Sequence, residues 1–219
     1  MPRSVRLLLT GFCAPGFTSI VYALRKSSKF EFYIYSTDWK ESLASHFADK
    51  SEVIGDNLLP EWPSKIIAAA EREKVEILMP IRTDDLAPLA RNIERLREVG
   101  VEPTLPSENP NIIETLRNKI ELYNAVKKLN LEAPKHYAVT SIDELEKSAG
   151  MLGYPEVPIC IKPDIADGSR GFRILDETQD RKKMFFSEKP SSTYSDLDKI
   201  KETLGESFQR MLLMEFLPG

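Results

Sequence analysis

Cysteine and histidine are scarce: Cys13, Cys160, His46 and His136 are the whole complement among 219 residues. The two thiols lie far apart, and neither stands in a CxxC or Cys/His spacing. That argues against a dedicated structural zinc site, which takes four such ligands, and for a reducing, cytoplasmic compartment. Long apolar runs are missing too. No stretch approaches the roughly 18–20 residues of a membrane span, so no membrane partner is expected. The opening MPRSVRLLLTGFCAPG has a basic start ahead of a cysteine, as a lipoprotein signal does. Arg6 interrupts its apolar patch, however, and bulky Phe12 sits where cleavage needs a small residue, so it reads as a first strand. Positive charge is not in excess: 30 Lys and Arg against 34 Asp and Glu leave a net −4, which argues against nucleic acid as the main partner. Small anions need only a local positive patch and stay open. The common phosphate-loop signatures are also absent. GxGxxG does not occur, and Gly11-Phe-Cys-Ala-Pro-Gly16 fails the Walker form because Phe17 stands where the lysine belongs. The plainer reading of that stretch is a tight strand-to-helix turn.

What is present is an alternation of strand and helix. Apolar residues at 42% and charged residues at 29% suit a folded globular chain. Residues 5–10 form an apolar strand, and 17–25 carry helical spacing through Phe17, Ile20, Val21 and Leu24. Residues 32–35 are a second strand, Pro63 opens a helix, and 75–81 are a third apolar run. Thr83 or Asp84 is then expected to cap a helix that stops at Gly100, followed by a strand over 101–105. This pattern calls for a parallel sheet covered on both faces, so 1–106 read as a small Rossmann-like domain. Residues 107–219 read as a second, α+β module. Asn109-Pro110 starts a helix running to about Asn130, with Ile113, Leu116, Ile120, Tyr123 and Val126 on one face. Residues 136–140 are a strand, Ser141-Ile-Asp-Glu144 is a capping box, and 158–162 and 171–175 are strands around a loop. Helices are expected over 178–186 and 195–204, with a polar loop at 189–194 between them. A strand over 209–217 ends at Pro218-Gly219; its edge, if uncovered near 211–217, would favour a homodimer.

Several residues carry candidate chemistry. Lys162 ends an apolar strand and shares a side with Pro158 and Cys160, where burial is expected. A buried lysine needs an anionic partner, and no carboxylate precedes it in the strand, so a bound phosphate is a candidate. The loop behind it holds Gly168, Ser169, Arg170 and Gly171. Glycines let backbone N–H groups approach an anion, Ser169 can donate, and Arg170 can fork onto phosphate oxygens. A loose hairpin turn explains the same residues without a ligand. Lys119 lies at the border of its helix's apolar face and can present its ammonium, though a solvated lysine is the common case. Glu215, Phe216 and Leu217 could act as a hinge offering backbone groups to a planar heterocycle, or be plain core strand. Arg82, Thr83 and Asp84 project at the sheet's carboxyl edge, where open α/β domains bind ligands, although helix capping would account for them.

The order of these pieces resembles the ATP-grasp superfamily: RNK at 117–119, IKP at 161–163, DGSRG at 167–171 and LMEFLPG at 213–219. The first module, with IYSTDW and MPIRTDDL, resembles its preATP-grasp domain. Nearest in character are the carbamoyl-phosphate synthase large subunit and related carboxylate–amine ligases. The resemblance implies that Lys119 and Lys162 hold ATP phosphates and that Gly168 to Gly171 close over them. It also implies that the Glu215 carbonyl and the Leu217 amide bind adenine, with Phe216 between them. The implied activity is an ATP-dependent ligase that makes an acyl phosphate from a small carboxylate for attack by an amine or ammonia, with Mg²⁺ as second cofactor. By the same resemblance the ribose-binding acid and the magnesium ligands lie past Gly219. The expectation is therefore a chain with no metal ligand of its own, inactive alone, needing a missing segment or a partner chain. A non-catalytic nucleotide-binding or regulatory module, and an interaction scaffold, are the rival readings.

Overall fold

A computed structural model describes residues 2–187, 191 and 193–217. The chain divides into two compact units between Glu114 and Thr115.

The first unit is a five-stranded, all-parallel sheet. Its strands are β1 (Arg3–Thr10), β2 (Phe30–Asp38), β3 (Lys50–Val53), β4 (Ile77–Pro80) and β5 (Glu102–Pro103), in the order β3-β2-β1-β4-β5. The apolar run Leu7-Leu8-Leu9 is buried throughout, because helices cover both faces. Leu7, Leu9 and Ile34 pack on one side with Phe17 and Val21 of α1 (Phe17–Arg25). Leu8, Tyr35 and Leu78 pack on the other with Ile66 of α2 (Trp62–Arg72), Leu89 of α3 (Thr83–Arg91) and Leu96 of α4 (Ile93–Glu98). Short turns follow the strand ends, which places Thr10, Asp38 and Pro80 along one carboxyl edge.

Two expectations for this unit change. The helix expected to stop at Gly100 is broken at Asn92, where φ is −117° and the side-chain amide donates to the Pro88 carbonyl at 2.9 Å. Pro88 lies within α3 and brings no N–H of its own. Neither Thr83 nor Asp84 caps that helix: Arg82 holds the cap position, without a side-chain cap bond, and both residues fall in the first turn. Strand β3 was not expected, since Lys50-Ser-Glu-Val53 offers no apolar run. The division at 114/115, against the 106/107 read from sequence, lies inside α5 (Pro110–Arg117), whose Ile113 is buried against Ala87 and Ala90.

The second unit is a mixed sheet ordered β6-β10-β7-β8-β9. Its strands are β6 (His136–Ser141), β7 (Ile159–Pro163), β8 (Arg173–Leu175), β9 (Tyr194–Ser195) and β10 (Ser207–Glu215). Only the β8–β9 pairing is parallel. One face packs on α7 (Ile142–Met151) and α9 (Leu197–Leu204) through Val139, Leu145, Ile161, Ile200 and Leu213. The other carries Cys160, Ile174, Leu212 and Met214 against Ile120 of α6 (Lys119–Lys128).

Here three expectations give way. The helix read from Asn109 to Asn130 is two helices, α5 and α6, because Asn118 is extended and its Oδ1 accepts from the N–H groups of Ile120 and Glu121 at 3.1 Å each. Strand β10 is no edge: it lies between β6 and β7, so that ground for a homodimer is removed. The helix expected over 178–186 is α8 (Arg181–Ser187), since Thr178 and Gln179 instead fold back onto the Asp176 carboxylate. Residues 188–190 and 192, within the expected polar loop and just ahead of it, and Pro218-Gly219 lie outside the described residues.

The capping box at α7 forms as read. Ser141 Oγ accepts from the Glu144 N–H at 3.3 Å, and the Glu144 carboxylate accepts from the Thr140 N–H at 2.7 Å. Ser141→Ala is expected to lower unfolding free energy by about 0.5–2 kcal/mol in a denaturant titration. The Thr140 bond also holds the Glu144 carboxyl below the usual range. A carboxyl with a depressed folded-state pKa stabilises above its unfolded pKa and loses that effect as pH falls through the folded value. The stability gap between wild type and Glu144→Gln should accordingly close on acidification; a gap constant with pH would contradict it.

Candidate functional site

In the second unit, antiparallel pairing decides which side chains share a face. Cys160 lies opposite both Met214 and Ile174, and Lys162 opposite Leu212, so Lys162 ends a buried apolar row. Its Nζ stands 5.8 Å from the Tyr123 ring centroid. Among the described residues no carboxylate forms an ion pair with it.

Lys119 reaches the same place by a different route. The break at Asn118 makes Lys119 the first residue of α6 rather than a mid-helix border residue. Its N–H donates to the Asp164 carbonyl at 2.9 Å. Its Nζ donates to the carbonyls of Ala166 at 3.0 Å and Asp164 at 3.4 Å. Burial pushes this ammonium below the usual lysine range, and the like charge of Lys162 adds to the push; Asp167 and Asp164 oppose it.

Both lysines line one cavity of about 270 Å³ with Ala166, Ser169, Arg170 and Phe172. The flap over it turns through two consecutive left-handed residues, Gly168 and Ser169, each at φ +60°. Arg170 is exposed, and its guanidinium donates back to the Asp167 carbonyl at 3.2 Å. At Gly171 the φ is +72°, and a Cβ would stand 2.7 Å from the Pro163 ring, so the flap closes onto the end of β7 only with glycine there. The sequence-read residues Lys119, Lys162, Ser169 and Arg170 thus meet in one cavity, with Gly168 and Gly171 shaping the flap. Sequence reasoning passed over Asp164 and Arg210, which come together with Asn118 at the base of the flap.

Glu215 ends β10 and is locked to Lys135 twice: its N–H donates to the Lys135 carbonyl at 3.0 Å, and its carboxylate accepts the Lys135 N–H at 2.9 Å. Its carbonyl faces the Cys160 thiol at 3.9 Å. Phe216 packs against the Cys160–Met214 cluster, and Leu217 is exposed.

The first unit holds a separate polar cluster at its carboxyl edge. Asp38, fully buried, accepts from the N–H groups of Cys13 at 2.6 Å and Trp39 at 2.7 Å. Arg82 lies 3.6 Å from both Asp38 and Asp84. Gly11, at φ +92°, leaves room for the Arg82 side chain, which a Cβ would meet at 2.7 Å. Thr83 is exposed. Asp85 is buried between Thr10 Oγ1 and Asn57 Nδ2, each donating at 2.6 Å, and burial pushes its carboxyl above the usual range. Thr37 Oγ1 and Asn57 Oδ1 are buried without a partner among the described residues. The run Ser36-Thr37-Asp38 had no apolar period to announce its burial.

No family model matches the chain. A stretch of 69 residues, 32% of the chain, is 33% identical to the carbamoyl phosphate synthase large chain of Buchnera aphidicola subsp. Acyrthosiphon pisum, of which it covers 6%. Among solved structures, an N5-carboxyaminoimidazole ribonucleotide synthetase in complex with ADP matches at TM-score 0.61 and 14% identity, over 100% of this chain and 48% of that one. A biotin carboxylase from Campylobacter jejuni matches at TM-score 0.54 and 17% identity, over 97% and 45%. An L-amino acid ligase from Bacillus licheniformis matches at 0.53 and 13%, over 100% and 46%. The chain spans about half the length of these structures and shares the fold of that part of them. The resemblance read from RNK, IKP and DGSRG is borne out at the level of fold.

The position of Lys119 has a measurable consequence. With its pKa below the ordinary value of about 10.4, Lys119 loses charge earlier than an exposed lysine as pH rises. Calorimetric affinity for inorganic tripolyphosphate should fall on the alkaline side before ordinary lysines titrate, and Lys119→Arg, which stays charged, should retain it to higher pH. Identical alkaline profiles for the two proteins would count against Lys119 as a phosphate ligand.

Proposed function

We propose that the second unit binds the polyphosphate of ATP between Lys119, Lys162 and the 168–171 flap, and that the chain is part of an ATP-dependent carboxylate–amine ligase. One observation carries the reading: two ammonium groups line a single cavity under a glycine-shaped flap, and no carboxylate pairs with Lys162 among the described residues. Like charges held together need an anion, and one with several oxygens answers both. Each charge-assisted hydrogen bond contributes about 1.5–3 kcal/mol.

ATP supplies the γ-phosphoryl group that turns a carboxylate into an acyl phosphate, from which an amine or ammonia displaces phosphate. The work of this chain is positioning and charge neutralisation. Lys119 and Lys162 offset phosphate charge, Ser169 and Arg170 donate from the flap, and flap closure excludes water. The base is assigned to the end of the apolar cluster of Cys160, Ile174, Leu212 and Met214, where partly buried Phe216 packs against it. The Glu215 carbonyl, which the Cys160 thiol faces at 3.9 Å, and the Leu217 N–H are assigned to its polar edge. Among the described residues no group of three or more His, Cys, Asp or Glu is placed to hold a metal ion. We assign Arg82, Thr83 and Asp84 to the carboxylate substrate, supported by the two unpartnered buried oxygens of Thr37 and Asn57 in the same unit's edge. A carbamoyl-phosphate-synthase-like substrate is the narrower form of the proposal, resting on the 69-residue similarity.

Calorimetric titration with ATP is expected to show binding that Lys162→Ala weakens by about 10- to 100-fold. Phosphate release from Mg-ATP by these residues alone should stay at background. Affinity indifferent to Lys162→Ala would remove the nucleotide reading; steady turnover by the chain alone would remove the claim that the metal site lies elsewhere.

A further inference from the structure

The residue at which the flap begins has more converging partners than a loop residue needs. Asp164 Oδ2 accepts from Arg210 Nε at 2.7 Å and from Asn118 Nδ2 at 3.2 Å. Its Oδ1 accepts from the Ile165 N–H at 2.8 Å. Its carbonyl accepts from both the N–H and the Nζ of Lys119. The Asp164 side chain is 17% exposed, well short of the open surface pairs that contribute little. One residue therefore ties together the end of β7, the start of α6 and strand β10. Arg210 immediately precedes Met211, whose partner is Pro163, and in an antiparallel pair the sheet register brings it opposite Asp164.

We propose that Asp164 is a positioning residue, which with Asn118 and Arg210 fixes the base of the flap so that Lys119 is held beside Lys162; the proposal rests on reading the cavity as a polyphosphate site. The Lys119 ammonium is aimed by the carbonyls of residues 164 and 166, and those carbonyls are where they are because the Asp164 carboxylate is anchored on two sides. Asn118 does two things at once. Its Oδ1 caps α6, and its Nδ2 meets Asp164. A carboxylate at 118 would cap equally well but would face the Asp164 carboxylate with a like charge. The amide at 118 and the acid at 164 form a matched pair.

That pairing separates positioning from capping. Asn118→Asp keeps the cap and removes the donor; Asn118→Asp with Asp164→Asn restores one donor and one acceptor across the same gap. Tryptic cleavage at exposed Arg170, followed by mass spectrometry without ligand, reads the freedom of the flap. Calorimetry with ATP reads the site, and a thermal melt reads the fold. Asn118→Asp is expected to raise cleavage and to weaken ATP binding about tenfold each at an unchanged melting temperature, and the double variant to bring both back within about threefold of wild type. If Asn118→Asp changes neither readout, if the double variant is no better than the single, or if melting falls in step with cleavage, the proposal is overturned. Should Lys162→Ala leave ATP affinity untouched while Asn118→Asp still frees the flap, the nucleotide reading fails and the anchoring of the flap by Asp164 stands on the proteolysis.

Discussion

Two ammonium groups on the wall of one cavity repel each other, and much of the second unit's architecture serves to keep them there. Lys162 cannot retreat, because it belongs to a strand paired on both sides and lies opposite Leu212 in a buried row. Lys119 cannot retreat either, because a broken helix makes it a first-turn residue whose ammonium is held by two backbone carbonyls. At Lys119 the burial and the like charge both act against the protonated form, and the Asp167 and Asp164 charges oppose them. Such an arrangement is costly for a fold that binds nothing, and it is well matched to a ligand carrying several negative oxygens.

The flap follows from the same constraint. Gly171 permits close approach to Pro163 where any side chain would collide, and Gly168 with Ser169 turns the chain through a left-handed pair. The flap is thereby brought over the lysines with its serine and arginine on the cavity wall. In the first unit, polar groups at the carboxyl edge are organised differently, around the buried acids Asp38 and Asp85, which accept from backbone and side-chain donors.

Much of this was legible in the sequence where burial leaves a period. The boundaries of α1 were read directly from Phe17, Ile20, Val21 and Leu24, and the alternation that sets half-buried Lys162 on one side with buried Cys160 gave the site its first member. The capping box Ser141–Glu144 was equally plain, since it is a local bond with a local signature. Other features depend on distant partners and left no such mark. Asn118 interrupts a helix whose apolar spacing continues from Ile113 to Val126, and nothing nearby says that its amide meets Asp164. Strand β3 borrows its order from β2 rather than from its own residues. Asp38 and Asp85 are buried acids whose donors come from other elements. Whether the strand near Met211–Leu217 is covered was left open by local reading for a related reason: strand order is set by the whole chain, and β6 pairs along one side of it.

The central claim, that Lys119 and Lys162 together hold a polyphosphate, is tested most directly by nuclear magnetic resonance of the lysine side chains. Samples labelled at the lysine ε-carbon, with single Lys→Arg variants for assignment, would be titrated with tripolyphosphate and with inorganic sulfate as control. The account requires the signals of residues 119 and 162 to move together and saturably with tripolyphosphate, and the depressed pKa of Lys119 to rise on binding. If the two signals stay fixed, or move no more than those of surface lysines, the cavity is not a phosphate site.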